Sequence, residues 1–280
     1  MKKTVKLFVL CSVLGIISTQ ADAVTKDKIR FGVKGGVNAS TTAVSLSAYD
    51  PVLYVRNVTG YKYNAGFNAG VFVECPLSGT FSLQPELILS AKGMRSETFT
   101  SQYRPSITGF KLLELHAISE ITSYYIELPL YVKAGFDLSR SGRFIAGIGV
   151  YFACGINGKI HSEYMDYELS ESGEPSNRGN LWTGEKDIFK GGRINFEGNM
   201  PGTPSGMESR IREPYLRKPL KRFDGGLSGF IGYELRRRWF ITASCDMGLV
   251  NMLNPAEAWD GEVKGSMYNR TFSVSSGYKF

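Results

Sequence analysis

The sequence predicts an all-β chain folded as an eight-stranded antiparallel transmembrane β-barrel with short periplasmic turns and long extracellular loops. Residues 268–280 supply the first reason. Tyr268, Phe272, Val274, Tyr278 and Phe280 share one face of that segment, and Asn269, Thr271, Ser273, Ser275, Gly277 and Lys279 share the other. A period of two sustained over such a length is a long amphipathic strand, and a tilted strand needs only about nine to eleven residues to cross a bilayer. Ser276 and Arg270 interrupt its apolar face. The second reason is an export leader at the other end of the chain, and the third is a regular alternation of tight and long links between strands.

The leader is residues 1–23. Lys2, Lys3 and Lys6 precede an almost uncharged apolar stretch, 7–18, and Ala21-Asp22-Ala23 has the small-x-small form of a cleavage site. That three-part layout is a secretory signal peptide and is too short and wrongly flanked for a membrane-spanning helix. The mature domain is expected to be 24–280. Cys11 does not mark a lipoprotein, because Leu10 stands where a small residue is needed and the cysteine falls early in the apolar stretch.

Eight strands follow from the period-two rule. Residues 28–38 send Ile29, Phe31, Val33 and Val37 one way and Arg30, Lys34 and Asn38 the other. Residues 63–75 separate Phe67, Ala69, Val71 and Val73 from Asn64, Asn68 and Glu74, and residues 81–93 set Leu83, Leu87 and Leu89 against Gln84, Glu86, Ser90 and Lys92. In 123–136, Ile126, Leu128, Leu130 and Val132 oppose Glu127 and Lys133. The clearest strand is 143–157, where Phe144, Ala146, Ile148, Val150, Phe152, Cys154 and Ile156 alternate with small or polar residues. Residues 223–235 and 239–249 repeat the pattern, with Asp224, Ser228, Glu234, Thr242, Ser244 and Asp246 on their polar faces. The C-terminal segment is the eighth. Residues 76–80, 137–142 and 236–238 are tight turns, whereas 39–62, 94–122, 158–221 and 250–267 are long links. An even-stranded closed barrel produces this order, and closure removes the sheet edges that lipid does not tolerate.

Composition agrees. Glycine (32), phenylalanine (17) and tyrosine (15) are abundant, as many turning strands with interfacial anchors require. The net charge of +7 falls by two with the leader, and a mild basic excess suits anionic head groups; no motif accompanies it that would make nucleic acid a partner. Cys75, Cys154 and Cys245 remain after cleavage, an odd number without CxxC spacing, each on the apolar face of a strand where a thiol behaves as a small hydrophobe. No cofactor or metal spacing is present.

In a soluble barrel the apolar face would point inward. Here the polar face is rich in glycine, serine and opposite charges, and the apolar face carries aromatics near strand ends (Tyr63, Tyr124, Phe136, Tyr233, Trp239, Phe280), which fits lipid outside and a polar lumen inside. The lumen of eight strands is only wide enough for side chains to fill. The inward-facing charges are Arg30, Lys34, Glu86, Lys92, Glu127, Lys133, Arg143, Asp224, Glu234, Asp246 and Lys279. Their near balance predicts a network of salt bridges, since buried charges persist when paired; a narrow ion path lined by the same groups is the functional alternative. Enzymatic chemistry finds little: His116 and His161, both expected in loops, stand in no recognisable arrangement, and a rim site of His161, Asp166 and a serine is a weak candidate.

Loop 158–221 is the longest and has the most segregated charge. Glu163, Asp166, Glu168, Glu171 and Glu174 crowd its first arm, and Arg210, Arg212, Arg217 and Lys218 its last, where they suit contact with anionic lipopolysaccharide or a partner. Its middle is expected to be separable from the barrel.

Four motifs then carry a resemblance. Gly32-Val-Lys-Gly-Gly-Val-Asn38, Tyr125-Ile-Glu-Leu-Pro-Leu130, Gly147-Ile-Gly-Val-Tyr151 and Gly277-Tyr-Lys-Phe280 resemble the PorT-type family of small outer-membrane barrels common in Bacteroidetes. The resemblance implies a Gram-negative outer-membrane location, assembly through the outer-membrane assembly machinery reading the terminal Phe280, and, in one branch of the family, assistance to protein secretion. Together the readings predict a monomeric, non-enzymatic barrel that presents surface loops to lipid, lipopolysaccharide or a surface or periplasmic protein, with a porin-like channel as the alternative.

Overall fold

The computed structural model describes residues 29–47, 56–106, 109–139, 141–169, 175–177, 181–190, 195–197, 220–254, 257–258, 261–262 and 264–280. The leader 1–23 and Arg210, Arg212, Arg217 and Lys218 lie outside the described residues. The strands are β1 (Arg30–Ser47), β2 (Arg56–Pro76), β3 (Phe81–Ser106), β4 (Gly109–Asp137), β5 (Gly142–Leu169), β6 (Pro175–Asn177), β7 (Leu181–Asp187), β8 (Asn195–Glu197), β9 (Phe223–Leu235), β10 (Trp239–Gly248), β11 (Glu257–Ala258), β12 (Gly261–Glu262) and β13 (Lys264–Lys279).

Eight of them close a ring in the order β4-β3-β2-β1-β13-β10-β9-β5, with β4 and β5 pairing to complete it, all antiparallel. They are the eight strands that the alternation predicts. Both ends of the ring's chain, Arg30 and Lys279, sit at the rim of the three tight turns, the periplasmic rim. Outward positions are apolar and exposed: Val37 is 67% exposed, Ile148 70% and Phe152 66%. A belt of that size would be an aggregation surface in water and is the expected face toward hydrocarbon. Aromatics border it, with Trp239 packed on Tyr278 (4.8 Å) and Tyr278 on Phe280 (5.4 Å) at the periplasmic side, and Tyr63 on Phe272 (6.1 Å) and Phe67 on Tyr124 (6.4 Å) toward the other.

The long links differ from expectation. Most of 94–122 is strand and not loop: β3 and β4 run on for 26 and 29 residues and stay paired out to Ser106 and Gly109. At about 3.4 Å per residue, β4 is on the order of 100 Å long, several times what lipid demands. Above the lipid neither face of the sheet has to be apolar, so the period-two signal fades although Thr98, Thr100, Tyr103, Ile118 and Thr122 keep the strand character of the backbone. β5 likewise continues to Leu169 through what reads as the start of loop 158–221. An extra residue at Ile156, opposite the step between Tyr124 and Tyr125, shifts the phase of β5 there. Below it the odd residues Tyr151 and Ala153 face inward; above it Gly158 and Ser162 are the buried ones. β7 then pairs with the upper part of β5, and β8 with β7.

Candidate functional site

The lumen is filled in layers. In the periplasmic half, Lys133 and Lys279 clasp Glu74 and Glu234. Lys133 Nζ lies 2.8 Å from Glu74 Oε2 and 3.6 Å from Glu234 Oε2, and Lys279 Nζ lies 2.7 and 2.5 Å from the same two oxygens. Glu234 is fully buried and Lys279 1% exposed, so each ammonium is held between two carboxylates with no bulk water to screen it. Beneath this tetrad Arg143 donates to the carbonyls of Gly79 and Gly135 (2.9 and 3.0 Å) and reaches Asp137.

An aromatic layer follows: Phe72, Tyr131, Ile145, Phe230 and Phe240 form one buried cluster, with Phe72 edge-on to Phe240 (5.4 Å) and Tyr131 edge-on to Phe230 (5.0 Å). Inward glycines make room for it. A Cβ on Gly147 would run into the Phe230 ring, and one on Gly277 into Phe240. Above lies a second polar layer, where Lys34 pairs with Glu86 (2.5 Å), Lys92 with Glu127 (2.7 Å), and Gln84 donates to Glu86 (2.7 Å). Ser228 donates to Asp246 (2.5 Å) and bonds the Tyr131 hydroxyl (2.7 Å), while Tyr151 and Asn269 donate to Asp224 (3.2 and 2.8 Å). The free space inside this layer is a cavity of about 30 Å³, lined by Lys34, Glu86, Glu127, Tyr131, Tyr151 and Asp246 among others. That is room for about one water molecule.

The extracellular mouth is stoppered by the chain's own links. Ile188 and Phe189, from the turn after β7, are 1% exposed and pack with Leu220, Met252, Met267, Met94, Ile121 and Tyr125. Phe189 stands edge-on to Tyr125 (5.9 Å) beneath the Arg222 guanidinium (5.6 Å), and side chains at Gly155 or Gly158 would collide with Phe189 or Ile188. Asp187 fixes the turn by accepting the backbone N–H of Phe189 and Lys190 (2.8 and 2.7 Å). Loop 158–221 is therefore not the separable surface loop that its composition suggests: one part is strand, and another enters the barrel mouth because it carries Ile188 and Phe189.

The structure thus gathers the predicted lumen charges but divides them. Lys133, Arg143, Glu234 and Lys279 lie in the periplasmic half, where Arg30 lines the rim; Lys34, Glu86, Lys92, Glu127, Asp224 and Asp246 lie above the aromatic layer. Glu74 completes the tetrad although charge pattern alone did not single it out. Phe72, Tyr131, Phe230 and Phe240 were also missed; their signal is parity, because each falls on the polar phase of its strand.

Outside the mouth, the projecting sheet of β2–β5 and β7 carries a charged outer face. Lys62 binds Glu97 (2.8 Å), Lys159 binds Glu185 (2.5 Å) and Asn64 donates to Glu120 (2.9 Å). His116 and His161 are on strands, not loops. His116 stacks on Phe99 (4.2 Å, 8°), and His161 lies 3.7 Å from Glu163. Asp166 lies five positions beyond His161 on β5. Among the described residues no cluster of histidine, cysteine and carboxylate side chains is arranged to hold a metal, and Cys75, Cys154 and Cys245 are free thiols on the outward phase.

Residues 20–254 match the family model described as outer membrane protein beta-barrel domain. The chain belongs to that family. Its place is accordingly the outer membrane of a Gram-negative bacterium, and the lipid-facing belt and closed ring have the meaning given them above. Among solved structures the chain is similar to the attachment invasion locus protein Ail of Yersinia pestis, seen in complex with the heparin analogue sucrose octasulfate, at 10% identity, TM-score 0.32, 91% of this chain and 100% of that one. It is also similar to the outer membrane protein OprG of Pseudomonas aeruginosa, at 9% identity, TM-score 0.37, 90% of this chain and 95% of that one. Likeness that distant assigns no role. No curated protein matches the chain.

Proposed function

We propose that this outer-membrane barrel is a non-enzymatic scaffold whose extracellular sheet and loops bind a ligand or partner protein. One observation carries the reading: the described residues fill the lumen at four levels and leave a cavity of water size in its polar layer, while β3, β4 and β5 extend far beyond the lipid band. Long strands outside the lipid and a lumen packed by its described side chains suit presentation better than transport. Specificity then resides in the charged outer face of β2–β5 and in loop 158–221, where Arg210, Arg212, Arg217 and Lys218 are proposed to touch lipopolysaccharide or the partner. The resemblance to PorT-type barrels supports an envelope role, including assistance to secretion.

The porin-like alternative uses the same lumen charges as an ion path. Planar-bilayer recording separates the two readings. The expected result is no unitary current; reproducible currents altered by Glu127→Gln or Lys133→Gln would replace the scaffold with a channel.

A further inference from the structure

The turn joining β9 to β10 is Arg236-Arg237-Arg238, all exposed, at the periplasmic rim. Arg236 and Arg237 hold φ of 52° and 54°. A turn whose two central residues both hold positive φ is the natural seat of Asn-Gly, and a residue with a longer side chain carries a backbone cost there. This sequence accepts that cost twice to keep guanidinium groups at the rim. Arg238 Nη1 donates to the Tyr278 hydroxyl (3.2 Å), and Arg237 Nη2 lies 3.3 Å from Asp137 Oδ2.

One concavity touches this turn, and a second lies further up the wall. A small rim pocket is lined by Arg30, Arg143, Arg237, Ser78 and Phe81, with Glu74 at its inner side already engaged by Lys133 and Lys279. The second is a groove of about 690 Å³ on the lipid-facing wall, where Phe81, Ala134, Ala146, Ile231, Ala243 and Cys245 cross from β3 to β10. Phe81 lines both. Much of the outward wall bears Leu, Ile, Val and Phe; neighbouring alanines at 134, 146 and 243 leave it hollow here. Ala243 is four residues from Trp239, roughly 13 Å along the strand, which keeps the lower groove within one leaflet of a core about 30 Å thick.

We propose that this face holds one anionic phospholipid of the periplasmic leaflet, its phosphate against the Arg236-Arg237-Arg238 turn and an acyl chain in the groove. Arginine forks suit phosphate oxygens, and the rim supplies several at once. The groove continues the lipid-contacting belt, so hydrocarbon is the medium that already meets it. Lipopolysaccharide is excluded as the occupant by depth, because Phe81 and Ala134 lie within a few residues of the periplasmic turns.

The test uses the full chain in lipid nanodiscs, with Trp182 and Trp259 replaced by Phe so that Trp239 reports alone. Brominated phosphatidylglycerol should quench Trp239 with a relative association constant about fivefold or more above brominated phosphatidylcholine, as expected of roughly one well-placed arginine or more. The preference should collapse toward one in 0.5 M salt and in Arg236→Asn/Arg237→Gly/Arg238→Gln, a turn that relieves the backbone and so keeps the barrel folded by gel mobility. Ala146→Leu, which fills the groove, should lower association of both lipids and leave their ratio unchanged. Equal quenching by the two lipids, a preference that survives the triple substitution, or indifference to Ala146→Leu would each overturn the proposal. So would efficient Cys245–Cys245 crosslinking between copies, which would assign the groove to self-association.

Discussion

Below Asn64 and Tyr124 the strands of this barrel are legible residue by residue; above them the same strands continue almost without a sequence signal. The two regions share a backbone geometry and differ in solvent. Within the bilayer one face must be apolar and every peptide group paired, so each strand alternates and the ring closes. Beyond the bilayer water accepts either face, and β2, β3, β4 and β5 keep their pairing with mixed side chains such as Lys62, Glu97, His116 and Glu120. Energy is distributed in the same way. The membrane part is locked by buried charge and aromatic packing, and the projecting part by exposed pairs that water and salt weaken.

The largest effect should come from the tetrad. Glu234→Ala removes a carboxylate bound by Lys133 and Lys279 and leaves buried ammonium groups short of a partner, a loss of about 3–5 kcal/mol in urea unfolding followed by heat-modifiable gel mobility. Glu234→Leu with Lys279→Met should recover much of that, since Lys133 and Glu74 remain paired. A single substitution that costs no more than a surface pair would erase the contrast between the two regions.

Phe189→Ala sharpens the boundary between them. The loss should be on the order of 3 kcal/mol but local, seen as faster amide exchange over 187–190 and 249–254 with the barrel amides unchanged. Deleting 173–209 should likewise leave the ring but expose Tyr125 and Met252; global unfolding after either change would make the plug part of the barrel's own stability.

On the projecting sheet, Lys62→Ala or Glu97→Ala should cost far less than the tetrad change, and the difference from the parent should vanish at high salt. The smallest effect concerns pH at the mouth. Burial alone would raise the Asp187 carboxyl, but the N–H groups of Lys190 and Phe189 and the Lys190 ammonium outweigh it and hold it below its ordinary value. A group lowered on folding contributes above its unfolded pKa and loses that contribution as pH falls through the folded one. Amide protection at Phe189 and Lys190 should therefore decline in acid, and Asp187→Asn should flatten that dependence.

Two misreadings show where sequence stops. His116 and His161 were expected in loops because alternation ends before them, yet each sits in a paired strand, since pairing beyond the lipid depends on the neighbouring strand and not on a local period. Loop 158–221 reads as a charged surface excursion, yet Ile188 and Phe189 turn back into the mouth, where Gly155 and Gly158 leave space that no sequence spacing announces. Composition outvoted two apolar residues in a polar stretch.

What the sequence by itself determined is the part the solvent dictates. Lipid on one side of a single-layer wall forces a period of two, so strand number, closure, the outward belt and the inward phase of Lys34, Glu86, Glu127 and Glu234 are all written locally. What only the tertiary structure decided is how the inward groups meet. Which lysine reaches which glutamate depends on register across strands far apart in the chain, as Lys279 and Glu74 show, and on the rings of Phe72, Phe230 and Phe240 dividing the charges into two halves. Local periodicity sets the face of a residue; only closure of the barrel sets its neighbours.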